Sequence, residues 1–292
     1  MNVGSYESIF TCINEKQLTL IDFTDYANRL LNNGKKDLYQ KPDLFISIFT
    51  QAERLLNPDV LNIDVSSFYQ VYLENEQVFV QSIKSKRLPV IMKNILAQEK
   101  PKSLITEIIN GLKSLSKKPV VISIDSPQKW LQEASKSVKG EGEISLSLDE
   151  IERASMYIAE FLRSFSTLNI SAIVIKESEN TIFTHDELLE RYQPITNVAK
   201  HYKWSLGLQM DTCLNPTEIR KLVDFCLISS LTFPELTSLW EEGQAIGGGL
   251  DQRFWEGQIQ TGTIPKTGLL FGKIPADAEP ETVLSQIQNL RN

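Results

Sequence analysis

The chain has 292 residues, of which 41% are hydrophobic and 23% charged, ordinary values for a globular protein and not those of a disordered one. Its formal net charge of −7 argues against a general nucleic-acid surface, which needs a basic stripe to neutralise phosphates. Three cysteines, Cys12, Cys213 and Cys226, share no close metal-like spacing and form no even framework, a pattern suited to a reducing compartment.

The N-terminus lacks a basic region followed by an apolar core, so no signal peptide is expected. No apolar run approaches the roughly 18 residues that a membrane helix needs. The expected setting is the cytoplasm, with no membrane and no nucleic acid as partner. Residues 1–57 read as a helical N-terminal segment. Residues 18–31 place apolar side chains at near-helical intervals, and Asn32-Asn33-Gly34 is a stop signal. Pro42 suits a first helical turn, after which Phe45, Ile48, Phe49, Ala52, Leu55 and Leu56 form one apolar face that ends at Asn57-Pro58-Asp59.

From there strands and helices alternate. The runs 60–65, 119–125, 171–177, 204–211, 224–230, 244–250 and 268–273 are short, apolar and bounded by turn signals, so they read as buried strands. An eighth strand is expected in 77–83 or 88–92. Helical patterns cover 104–115, 148–165, 186–201, 216–223, 234–242 and 280–290, and 134–147 has loop composition. Such alternation implies a parallel sheet covered on both faces. The number of units favours an α/β fold of the (β/α)₈ TIM-barrel type, with extra N-terminal helices and a single domain over 1–292. The cluster Lys113, Lys117 and Lys118 reads as a solvated helix end.

In such a barrel the active site lies at the strand C-termini. The polar residues there are Asp64, Asp125, Lys176, Glu177, Gln209, Asp211, Ser229, Ser230, Asp251 and Lys273. Converging charges perturb one another's protonation, which is how one carboxyl becomes an acid and another a base. Taken singly, each also reads as a loop residue or a helix N-cap. Gly247, Gly248 and Gly249 either let backbone amides approach an anion or relieve crowding at the rim. No dinucleotide-binding, P-loop or nucleophile-elbow motif occurs. Both histidines have structural readings: His185 lies in a helix start capped by Thr184, and His201 stands at a helix end, where a cation suits the dipole. A zinc site of His and Cys is therefore not expected, and no cofactor is.

The last third carries a resemblance. Gly248-Gly249-Leu250-Asp251 and the segment from Pro275 through Asp277 and Pro280 to Val283 resemble the corresponding turn and segment of the uroporphyrinogen decarboxylase superfamily, to which the cobalamin-independent methionine synthases are related. Asn62-Ile63-Asp64-Val65 resembles the segment bearing the decarboxylases' catalytic Asp, and Lys118-Pro119-Val120 through Ser126-Pro127 resembles their strand running into a turn. The similarity covers residues 40–290 and rests on spacing more than identity. It departs where the decarboxylases grip substrate carboxylates with an Arg-rich N-terminal segment, which has no equivalent here. Their Gly-His-Gly after the last strand is replaced by Phe271-Gly272-Lys273, and their catalytic Tyr falls near Glu133. The superfamily's zinc-binding His-x-Cys is replaced by Gln209-Met210-Asp211.

The resemblance implies a lyase-type enzyme, a decarboxylase in particular, acting on a small carboxylated molecule other than uroporphyrinogen. Asp64, Asp211 and Lys273 are then the expected catalytic residues. Gln209, Glu177, Lys176, Asp125, Asp251 and Arg253 are expected to bind substrate, with no metal. The alternatives are a methyl or alkyl transferase of the same superfamily and a non-catalytic barrel that binds a ligand or partner. The family's habit of pairing makes a homodimer an expectation.

Overall fold

The computed structural model describes residues 15–140, 144–177, 184–211, 223–258 and 267–291, together with residues 9 and 13. Eight parallel strands form a nearly closed barrel: β1 Gln17–Asp22, β2 Leu61–Asp64, β3 Val120–Asp125, β4 Ala172–Lys176, β5 Ser205–Met210, β6 Phe225–Ile228, β7 Ile246–Gly249 and β8 Gly268–Lys273. They hydrogen-bond in the order β1-β8-β7-β6-β5-β4-β3-β2. The remaining β1–β2 seam is joined by a single parallel bridge, Leu20 to Val60. Asp59 reinforces it, its carboxylate accepting from the N–H and hydroxyl of Thr19. No described helix is long and apolar enough to cross a membrane.

Alternation of side chains along each strand divides the core in two. Leu18, Leu20, Val60, Val121, Ala172, Val174, Phe225, Leu227, Leu269 and Phe271 fill the barrel interior, joined by Ile9 and Ile13 from the N-terminal segment. Their strand neighbours, among them Ile21, Ile63, Ile122, Ile124, Ile173, Ile175, Leu206 and Leu208, pack outward against the helices. Because both faces are buried, these strands read as unbroken apolar runs.

That property accounts for the main correction to the sequence reading. The residues 18–31, expected as one helix, divide into strand β1 and the helix Thr24–Asn32, which ends at Asn33 in the left-handed conformation. Leu18 and Leu20 enter the barrel while Ile21 faces the helices, and a continuous apolar run conceals that change of period. The missing eighth strand is thus β1, and neither expected segment supplies it. Gln77–Ile83 is a helix that buries Val80 and Ile83 and leaves Val78 87% exposed. Leu88–Leu96 is a helix with Pro89 in its first turn and Ile91, Met92, Ile95 and Leu96 buried on one face.

Other boundaries shift less. The helix Pro42–Leu56 ends at Asn57 as expected, again in the left-handed conformation. The pattern over 186–201 is two helices, His185–Arg191 and Gln193–Tyr202. Within the expected loop 134–147, residues Ser135–Lys139 form a π-helical turn that extends the helix Pro127–Ala134 and stops at Gly140. The expected helix 216–223 lies outside the described residues apart from its last position, as do Cys12 and Cys213. The lysine cluster is tethered more than a solvated helix end would be. Lys113 donates to the carbonyls of Leu168 and Asn169, and Lys118 pairs with Glu53.

Candidate active site

The parity that fills the barrel also selects the residues at its mouth. Each of Asp22, Asp64, Asp125, Lys176, Gln209 and Lys273 is the last inward position of its strand, on the C-terminal side of the interior apolar cluster. Three of the apolar strands end in the same dipeptide: Ile21-Asp22, Ile63-Asp64 and Ile124-Asp125. In each, the isoleucine faces the helices and the aspartate turns toward the mouth.

Lys176 is the hub. Its Nζ lies 2.7 Å from Asp64 Oδ2 and 3.2 Å from Asp125 Oδ1, and all three side chains are largely buried. Asp125 also pairs with Lys129, one helical turn on, at 3.1 Å. Asp64 starts the helix Val65–Asn75 as its N-cap, accepting from Ser66 N–H at 3.2 Å and from the Ser67 hydroxyl at 2.8 Å. The Ser66 hydroxyl in turn accepts from Asp125 N–H at 2.8 Å, which ties the ends of β2 and β3 together. Burial alone would lift the Asp64 carboxyl, but the Lys176 ammonium and the two serine contacts outweigh it and hold the group below the usual carboxylate range. The converse holds at Lys176: burial opposes its charge, and Asp64 and Asp125 more than compensate, so its pKa lies above that of an ordinary lysine.

Across the β1–β2 seam the balance differs. Burial lifts the Asp22 carboxyl above its usual range; Lys273 opposes the lift, and the charges of Asp64 and Asp25 add to it. Lys273 makes its short contact elsewhere, at 2.6 Å to Asp25 Oδ2. Burial lowers the Lys273 ammonium, but Asp22 and Asp25 together raise it further. Tyr39 donates to Asp25 at 3.3 Å, and burial followed by the charges of Asp25, Asp64 and Asp22 keeps its phenol protonated.

The other expected residues stand apart from this cluster. Gln209 is the register partner of Lys176 on β5, and its carbonyl accepts from Glu177 N–H. The Glu177 carboxylate serves a separate network behind β3 and β4, accepting from the Ser126 hydroxyl at 2.7 Å and the Tyr192 hydroxyl at 2.5 Å. Burial, then Glu177, raises Tyr192 well above an ordinary tyrosine. Asp251 caps the short helix Gln252–Trp255 through Phe254 N–H and pairs with Arg253 at 3.0 Å, so both charges are used locally. Asp211 lies just past β5, half-buried, and its carbonyl accepts from the Ser230 hydroxyl. Thr184 caps the helix His185–Arg191 through a reciprocal pair with Glu187. The His185 side chain is outside the described residues, and His201 is exposed near the end of the helix Gln193–Tyr202. Cys226 is buried. Among the described residues no three His, Cys, Asp or Glu side chains are grouped to hold a metal.

Asp22 and Asp25 are the site residues that sequence reasoning missed. The signal was present: 17–22 ends in the same Ile-Asp pair as β2 and β3, and Asp25 follows three residues later. No family model matches this sequence, nor does any curated protein.

Proposed function

We propose that this chain is a barrel enzyme carrying out a lyase-type step, a decarboxylation, on a small carboxylated molecule other than uroporphyrinogen. The observation that carries the reading is the opposite direction in which the surroundings push two carboxyls at neighbouring strand ends. Asp22 is biased toward its neutral form by burial, whereas Lys176 and two serines keep Asp64 ionised despite burial. Groups pushed apart in this way give one site both a proton donor and a fixed anion.

In the proposed step Asp22 gives its proton to the substrate carbon that carries the carboxylate. A cation forms in the substrate's conjugated system, facing the Asp64 carboxylate. The carbon–carboxylate bond then breaks, its electrons return to that system, carbon dioxide leaves, and Asp22 takes a new proton from water. The net change replaces the carboxylate by hydrogen. Lys176 positions Asp64 and keeps it ionised, and Lys273 limits how far the Asp22 carboxyl rises. Anionic stabilisation of a developing cation is strongest when the dipoles are already fixed, as the hydrogen bonds from Ser66 and Ser67 fix Asp64.

The test is carbon dioxide release from a panel of electron-rich aryl and heteroaryl carboxylic acids. We expect release from at least one, with Asp22→Asn and Asp64→Asn each slowing it by roughly a hundredfold or more. No release from any member, or an unimpaired Asp22→Asn variant, would sink the proposal.

A further inference from the structure

One turn of the pleat below the charged cluster, the barrel interior holds two buried polar atoms to which no described residue supplies a hydrogen bond. Asn62 precedes Asp64 by two residues on β2, and Ser123 precedes Asp125 by two on β3, so both take inward positions. Asn62 is 8% exposed and Ser123 1%. Asn62 Oδ1 and Ser123 Oγ are both buried and have no hydrogen-bond partner among the described residues. Buried polar groups are ordinarily paired, and each exception calls for a cause.

The rest of the interior sharpens the contrast. Barrel cores are filled by layers of apolar side chains, and across the barrel this one is packed without slack. A Cβ on Gly207 would sit 2.5 Å from the Phe225 ring, and one on Gly247 would sit 2.7 Å from Leu227. The polar notch is therefore confined to the β2–β3 side, directly beneath Asp64 and Asp125, facing an apolar wall.

We propose that Asn62 and Ser123 form a recognition notch for a hydroxyl or ring N–H on the small molecule that the mouth binds. The ligand's proton goes to Asn62 Oδ1, and the Ser123 hydroxyl either donates to the ligand's oxygen or accepts from its nitrogen. Only the donor end of the ligand reaches down to the notch; its body stands above the packed apolar layer, with its carboxylate uppermost among the charged residues. The notch thus selects an amphipathic ligand with a donor at the end opposite its carboxylate. The inference rests on the mouth being a small-molecule site, as proposed above, and not on decarboxylation. A site built to pair a ligand's hydroxyl rejects the analogue that lacks it, because its own buried groups then stay unpaired.

The experiment compares para-hydroxybenzoate with para-fluorobenzoate, near-isosteres that differ in the donor, by saturation-transfer NMR on the full chain. Asn62→Leu and Ser123→Ala are measured beside it, with circular dichroism to establish that each is folded. We expect the hydroxyl probe to bind the parent chain roughly tenfold more tightly, and the preference to vanish in either folded variant. Should Asn62→Leu fail to fold, the smaller change Ser123→Ala carries the comparison. Equal binding of the two probes, no binding by either, or a preference that survives the substitutions overturns the notch. Turnover plays no part in this readout. A chain that discriminates the probes yet releases no carbon dioxide keeps the notch and loses the decarboxylation; the reverse pattern does the opposite.

Discussion

Asp22 and Lys273 are register partners across the β1–β8 pairing, yet the Lys273 ammonium makes its short contact, at 2.6 Å, with Asp25. Asp22 is left with Lys273 as a partial counterion, while burial and two neighbouring carboxylates favour its neutral form. A buried carboxyl in that position holds its proton to a higher pH than an exposed one. The folded chain also bears it at a cost.

The first prediction follows from the sign of that cost. The folded pKa of Asp22 lies above its unfolded value, near 3.9 for a free aspartate. Between the two values the folded state binds more protons than the unfolded one, so stability falls as pH rises through that window and stays lower above it. Asp22→Asn removes the penalty. Thermal unfolding should show the variant more stable than the parent at neutral pH, with the difference closing as pH drops below about 4. A variant less stable at neutral pH would mean that Lys273 dominates Asp22 after all.

Lys176 gives the opposite case. Replacing it by Met leaves Asp64 and Asp125 facing one another with only Lys129 and the serine contacts in support. Breaking a buried pair from one side costs roughly 3 kcal/mol or more, because the abandoned charge cannot return to water. Urea unfolding at neutral pH should register that loss for Lys176→Met. In the parent chain Asp64 has a lowered folded pKa, so its contribution is present above the ordinary carboxylate value and is lost as pH falls through the folded one. The variant regains stability as its stranded carboxyls protonate. The gap between the two chains should therefore narrow in acid, and a gap independent of pH would point to packing alone.

Much of this architecture was legible in the sequence, for identifiable reasons. Strands β2 to β8 stood out because turn signals bracket each apolar run, and the charges that end them converge once the strands are parallel. β1 was not legible, since only Phe23 separates its apolar run from the helix that begins at Thr24 and no turn residue marks the join. Losing β1 also lost Asp22, and with it the contrast between its raised carboxyl and the lowered one of Asp64. The roles of Glu177 and Asp251 were hidden for another reason. Whether a carboxylate enters a mouth or caps a helix depends on partners such as Tyr192 and Phe254, which lie on elements that spacing cannot bring together.

A third prediction concerns the wall behind the mouth. Gly272 sits where the chain leaving β7 crosses β8, and a Cβ there would lie 2.0 Å from the Leu250 carbonyl oxygen and 2.5 Å from its Cβ. Neither is the far end of a flexible side chain, so the backbone must move. Overpacking of this kind costs about 1–3 kcal/mol. Gly272→Ala should lower the urea midpoint accordingly, and it should also disturb Lys273, the next residue. An alanine variant as stable as the parent would show that the Leu250 turn gives way freely.

The last prediction is that uroporphyrinogen is not decarboxylated. Gripping a tetrapyrrole with several carboxylates calls for unpaired cations, and Arg forks are the strong form of that contact. Among the described residues the cations at this mouth already have partners: Lys176 serves Asp64 and Asp125, Lys129 serves Asp125, Lys273 serves Asp25, and Arg253 serves Asp251. Gripping several carboxylates at once strands several aspartates, at roughly several kcal/mol for each buried pair, whereas a substrate with one carboxylate disturbs one pair at most. Each such loss weakens binding by about a hundredfold, so the penalty multiplies with the number of carboxylates to be gripped. The ammonium of a lysine also lacks the bidentate geometry that an arginine would bring. Incubating the protein with uroporphyrinogen under reducing conditions should therefore yield no coproporphyrinogen. Turnover near that of an authentic decarboxylase would require the Lys176 and Lys273 pairs to open on binding, and the charge balance inferred for this mouth would be wrong.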